Sequence, residues 1–79
     1  MATRIYVGNI PWAATTDELY TLFARRGAVL RAQIIIERET GRSRGFGFVD
    51  MENQEEANAA IAALNESEWN GRTLIVNPA

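Results

Sequence analysis

The sequence predicts an α+β fold in the order βαββαβ, a four-stranded antiparallel sheet carrying two helices on one face. Two observations carry this prediction: four segments rich in β-branched and aromatic residues, and two helix-start signatures, each followed by apolar residues at helical spacing. Right-handed crossovers in this order place both helices on the same side of the sheet and leave the other side open to solvent. The 79 residues are expected to form a single domain, residues 1–79, with no linker, repeat or low-complexity segment.

Each element has a local cause. Residues 4–9 (RIYVGN) read as the first strand, which Ile10-Pro11 breaks. Thr15 and Glu18 form a T-x-x-E capping box that starts a helix. Leu19, Leu22 and Phe23 give that helix its apolar side, and Gly27 ends it. Val29 to Ile36 is the second strand, Glu37 to Ser43 a polar hairpin loop expected to be mobile, and Arg44 to Met51 the third strand. Asn53, with Glu56 three residues on, caps a second helix whose apolar stripe is Ala57, Ala60, Ile61 and Leu64. Asn65 to Gly71 reads as a turn region and Thr73 to Asn77 as the last strand.

Composition excludes several classes of chemistry. With no cysteine and no histidine, the chain lacks disulfides, thiolate chemistry, the commonest general base and the commonest metal ligand. No metal or other cofactor is expected. Asp17, Glu18, Glu55 and Glu56 lie at helix starts, where capping and the helix dipole explain them without catalysis. An enzyme is therefore the least favoured class. The net charge is −2 and the pI about 5.0, which argues against a binder relying on bulk positive charge. Yet all eight basic residues are arginines, whose planar forks pair with phosphate and stack on bases. A genome-wide preference for arginine codons would produce the same count. No signal peptide or membrane span is recognisable, so the protein is expected to be soluble and cytoplasmic, or nuclear in a eukaryote.

The open face follows from strand alternation. In the third strand Gly45, Gly47, Val49 and Met51 form one set, and Arg44, Phe46, Phe48 and Asp50 the other. In the first strand Ile5 and Val7 oppose Arg4, Tyr6 and Gly8. Turning the branched aliphatics to the helices puts Tyr6, Phe46, Phe48, Arg4 and Arg44 on the open face. The inverted choice would bury Arg44 and Asp50 against helices, at a large desolvation cost. Glycines 45 and 47 would let a helix approach closely. The outer strands follow the same logic: Ala32, Ile34 and Ile36 face the core while Arg31, Gln33 and Ile35 are open. Likewise Leu74 and Val76 face the core while Thr73, Ile75 and Asn77 are open. The Ile34-Ile35-Ile36 triplet fits either phase. Exposed aromatics flanked by arginines can stack bases, at about 1–3 kcal/mol each, and pair phosphates.

These residues resemble a known family. IYVGNI (5–10) resembles the hexamer ribonucleoprotein motif of RNA recognition motif domains. RGFGFVDM (44–51) matches seven of eight positions of their octamer, [KR]-G-[FY]-[GA]-F-V-x-[FY]. ETGRSRGFGFV (39–49) is similar to the loop and strand of small cyanobacterial-type and plant glycine-rich members. The resemblance covers essentially the whole chain and implies a ferredoxin-like sandwich that binds single-stranded RNA. It implies that Tyr6 and Phe48 stack successive bases and that Phe46 inserts against the sugars between them. Arg44 would pair with a phosphate, and Asn77 and its neighbours would hydrogen-bond base edges. Arg4, Gln33 and Ile35 share that face, and Arg42, with Arg38, could reach the backbone from the loop. Met51 departs from the octamer's aromatic at a core-facing position, and Asp50 places a negative charge on the binding face. Trp12 and Trp69 are candidates for extra stacking platforms, but both lie in connecting segments and packing is the favoured reading for each.

The expected partner is single-stranded RNA, with single-stranded DNA as the alternative, bound at about micromolar affinity (roughly −8 kcal/mol) with shallow salt dependence. The expected state is a monomer, with Ile35 and Ile75 as the residues that would favour weak self-association. A protein-interaction module is the competing reading, supported by the same two isoleucines and the acidic charge. The full set of Tyr6, Phe46 and Phe48 argues against it.

Overall fold

The computed structural model describes residues 2–79; Met1 lies outside the described residues. The elements are β1 (Thr3–Gly8), α1 (Thr16–Ala24), β2 (Val29–Ile36), β3 (Ser43–Met51), α2 (Gln54–Leu64), β4 (Glu68–Trp69), β5 (Arg72–Thr73) and β6 (Ile75–Pro78). The main sheet has the strand order β2-β3-β1-β6, antiparallel throughout, so the two motif strands lie side by side at its centre. α1 packs against β2, and α2 against β6, β1 and β3.

Local chemistry starts both helices where expected. The Thr15 hydroxyl accepts from the Glu18 N–H at 3.1 Å, and the Glu18 carboxylate accepts from the Thr15 N–H at 2.9 Å, closing the capping box. The Asn53 side chain accepts from the N–H groups of Glu55 and Glu56 at 2.8 and 3.1 Å. Glu56 turns away from its own cap and accepts the Ala28 N–H instead, bracing the segment between α1 and β2. Gly27 does not act as a left-handed helix stop. α1 already ends at Ala24, and a Cβ on Gly27 would lie 2.6 Å from Cδ of Glu56.

The core lies between the helices and one sheet face. Ile5, Val7, Val49, Met51 and Val76 from the strands, with Leu74 from the link between β5 and β6, meet Leu19, Phe23, Ala57, Ala60 and Leu64 from the helices, all buried. Met51 is fully enclosed, so its departure from an aromatic is a matter of packing, as its position in the alternation implies. Burial of the aliphatic, Phe and Met side chains larger than alanine stabilises the fold by roughly 1.5–3 kcal/mol each before chain entropy opposes it. Among the described residues no polar or charged residue is buried.

Four expectations need correction. Ile36 is 51% exposed and does not join the core. Between the pairs Ile34↔Gly47 and Ile36↔Ser43, β3 runs four residues while β2 runs two, so β3 bulges and the alternation is lost at this end. Gly45 sits in the bulge at φ 81°, a conformation glycine adopts without strain. The third strand's glycines therefore answer to the sheet and not to a close helix. A Cβ on Gly47 would run into the Gln33 carbonyl oxygen and lie 3.0 Å from the Ile34 Cα.

The last strand is also shorter than expected. Residues 66–74 close onto the end of α2, with the Leu74 N–H on Ser67 O and the Glu66 N–H on Leu74 O. β4 and β5 form a small hairpin turned by Asn70 and Gly71, both at positive φ (50° and 84°). Trp69 packs against the core as expected, but Trp12 is 74% exposed. Trp12 follows the buried Pro11 in a turn closed by the Ala14 N–H on Pro11 O. Pro11 and Ala14 anchor that turn, and the indole projects outward.

Candidate nucleic-acid interface

Pairing register arranges the open face as three rows. Gln33, Phe48, Tyr6 and Asn77 form the middle row, one residue from each strand of the sheet. Directly opposed residues share a face, so this row follows from the register alone. Phe46, Gly8 and Ile75 form the next row, with Ile35 beside them by alternation. Arg31, Asp50 and Arg4 form the row on the other side. Thus Tyr6, Phe46, Phe48, Arg4, Gln33, Ile35 and Asn77 come together on one surface. Arg44 stands at the edge beyond the bulge, and Arg42 lies in the β2–β3 loop.

The three aromatic rings form a near-equilateral triangle, with centroids 6.0 Å apart for Tyr6–Phe46 and 6.1 Å for each of the other pairs. Phe48 stands at 88° to Phe46 and 67° to Tyr6, so both of its pairings are edge-to-face. Such pairs contribute roughly 0.5–1.5 kcal/mol each and hold the rings half-buried in fixed orientations. Gly8 belongs to this site although its side chain does nothing: a Cβ there would lie 2.7 Å from the Tyr6 hydroxyl oxygen. Its hydrogen lets the Tyr6 ring lie flat along β1.

Electrostatics explain how an acidic chain can present a basic face. Asp17, Glu18, Glu55 and Glu56 sit in the first helical turns, behind the sheet. Asp50 is the carboxylate that β1 and β3 carry onto the open side, and cross-strand pairing sets it between Arg4 and Arg31. Arg4 donates to it through two nitrogens, at 2.9 and 3.3 Å, while its guanidinium carbon lies 5.6 Å from the Phe48 ring centroid. The hydrogen bond to Asp50, and then its charge, raise the Arg4 pKa above the ordinary arginine value. Arg4 is thus a fixed cation resting beside the Phe48 ring. Arg44 meets Glu37 at 3.4 Å, an exposed and weak pairing.

Sequence reasoning missed two further polar residues. Asn9 adopts a left-handed conformation (φ 58°) just after β1, which asparagine tolerates better than most residues. Its amide donates to Thr73 O at 2.7 Å, and its carbonyl oxygen accepts from Arg72 at 2.6 and 3.2 Å. Arg72 is therefore fixed at the edge of the face by a neutral partner, and among the described residues it has no carboxylate within ion-pair distance. No group of three or more potential metal ligands occurs among the described residues. Nor is any described helix long and apolar enough to cross a membrane.

With this geometry in place, known proteins give a consistent comparison. A family model described as RNA recognition motif matches residues 5–75. RNA-binding protein CP31B, chloroplastic, from Arabidopsis thaliana is 53% identical over 99% of this chain, which spans only 27% of that protein. The putative RNA-binding protein RbpE of a Nostoc species is 52% identical over 95% of this chain and 76% of its own length. Among solved structures, the Sxl-lethal protein/RNA complex matches at a TM-score of 0.92 and 39% identity, over 98% of this chain and 47% of that one. These relatives are named for binding RNA and not for a reaction, which agrees with a non-enzymatic domain. One is chloroplastic and another cyanobacterial, so the fold is not tied to a single compartment.

Proposed function

We propose that this chain, which belongs to the RNA recognition motif family, binds single-stranded RNA on the open face of its sheet. The observation that carries this reading is the triangle of half-exposed rings at the sheet centre, flanked on the same face by Gln33, Asn77 and the arginines. Tyr6 and Phe48 each offer a flat surface to a base, and Phe46 fills the space between them against the sugars. Side-chain amides of Gln33 and Asn77, in line with the stacked bases, reach base edges at either side. Arg44, Arg42 and Arg4 contact phosphates. A sheet of this kind takes two or three bases, which suits micromolar binding with little sequence preference. Two or three phosphate contacts predict a log–log salt slope of about −2. The active species is a monomer in this reading, because a dimer through Ile35 and Ile75 would cover the row beside the rings.

The direct test is an NMR titration of labelled protein with a short mixed-sequence RNA, the matching DNA, and an RNA duplex. Shifts concentrated at Tyr6, Phe46, Phe48 and Asn77 are the expected outcome, present with single strands and absent with the duplex. Shifts confined to the helices, or none at millimolar RNA, would remove the reading and favour a protein partner.

Asp50 yields a second expectation. Asp50→Asn removes the one negative charge between Arg4 and Arg31 and releases Arg4 from its fork. The ion pair lies at the surface with Arg4 largely solvent-accessible, so stability should barely change. RNA affinity should rise roughly two- to fivefold, and more at low salt, where phosphate attraction is least screened. Weaker binding by the asparagine variant would instead assign Asp50 a direct role with a base.

A further inference from the structure

Trp12 is a large apolar side chain with no packing role, held at the tip of a turn whose neighbours, Pro11 and Ala14, do the anchoring. It forms one wall of an open groove of about 380 Å³ whose other walls include Tyr6, Phe46, Arg44, Arg72 and Ile75. That space suits a nucleotide-sized group. The groove runs from the indole directly onto two of the three central rings. Its rim carries the Arg44 and Arg72 guanidiniums, the second oriented by the Asn9 carbonyl oxygen. On its other side Trp12 borders a second groove with Ile36 and Arg42. An exposed aromatic next to a stacking site, with the Arg72 cation, which has no carboxylate partner among the described residues, on the rim between them, is the arrangement that continues a single-stranded track: a ring for the base and a cation for its phosphate.

We propose that Trp12 is an additional base-stacking platform, extending the bound RNA one nucleotide beyond the sheet, with Arg72 contacting the phosphate between them. This rests on the sheet-face reading above and adds a position outside the ribonucleoprotein motifs. The exposure of Trp12 makes its replacement harmless to folding, so Trp12→Ala can be measured cleanly beside Phe48→Ala on a trinucleotide and a hexanucleotide.

The expected result is that Trp12→Ala leaves trinucleotide binding unchanged and weakens hexanucleotide binding by about fivefold or more, while Trp12→Phe restores most of it. In a Trp69→Phe background, Trp12 is the sole tryptophan, and its emission should be quenched by the hexanucleotide but not by the trinucleotide. If Trp12→Ala changes neither affinity while Phe48→Ala weakens both, the Trp12 platform is overturned and the sheet reading stands. Equal losses on both lengths would place Trp12 in the central site and overturn the added position. If Phe48→Ala leaves both affinities intact, the sheet reading fails and this proposal fails with it.

Discussion

Replacing Phe48 by alanine should weaken RNA binding by roughly ten- to a hundredfold and cost the fold about 1–3 kcal/mol through its two ring pairs, without unfolding it. One base–ring stack is worth about 1–3 kcal/mol, and Phe48 belongs at the upper end. It stands edge-to-face with both Tyr6 and Phe46, so its removal also loosens the two remaining platforms. It bears the Arg4 guanidinium at 5.6 Å from its centroid, so a positioned cation is lost as well. The fold should tolerate the change because the ring lies on the open side of β3, opposite the buried Val49 and Met51. Fluorescence anisotropy with a labelled oligonucleotide, paired with a thermal melt, separates the two effects. Parent-like affinity in a folded Phe48→Ala protein would exclude the stacking mechanism, and Phe48→Tyr should retain binding.

Gly47→Ala should have the opposite profile, a large loss of stability from one methyl group. The added Cβ meets backbone, the Gln33 carbonyl oxygen and the Ile34 Cα, so no side-chain rotation relieves the clash. β2 must draw away from β3, weakening the ladder at the bulge that shapes this end of the sheet. Overpacking costs about 1–3 kcal/mol in general, and a clash with backbone belongs near the top of that range. In a domain of this size each 1 kcal/mol lowers Tm by roughly 4–8 °C, so a drop of about 10–20 °C is expected. A melt within a few degrees of the parent would mean that β2 and β3 do not approach this closely in solution. Because Gly47 faces the core side, RNA affinity should suffer only through the displacement of Gln33.

Most of the site was legible because its signals are short-range. The helix caps and turn residues act within a few positions, and the two-residue period of β1 and β3 is enough to place Tyr6, Phe46 and Phe48 on the open side. The Asn70-Gly71 pair was equally readable as a two-residue hairpin turn, yet the surrounding stretch was read as a plain turn region followed by one longer strand. Ile36 was misassigned because alternation assumes an unbroken ladder, and a bulge in the partner strand leaves no mark in β2 itself. Packing is the favoured reading for Trp12 in the sequence because it lies in a connecting segment. Its exposure depends on which neighbours in the turn reach the core, and Pro11 and Ala14 do so in its place.

The amino-acid sequence by itself determined the order of elements, the helix starts, the buried face of each central strand and the identity of the three rings on the open face. Each of these depends on residue type and period alone. Only the tertiary structure decided what those residues stand beside. Register set Asp50 between Arg4 and Arg31, and aligned Gln33 and Asn77 with the rings across strands far apart in sequence. Folding brought the Asn9 side chain to Arg72, sixty-three positions away, and set Trp12 on the same groove as Phe46. Such neighbours depend on how separate strands align and where a ladder bulges, and that is settled by packing over the whole sheet rather than by any local run of residues.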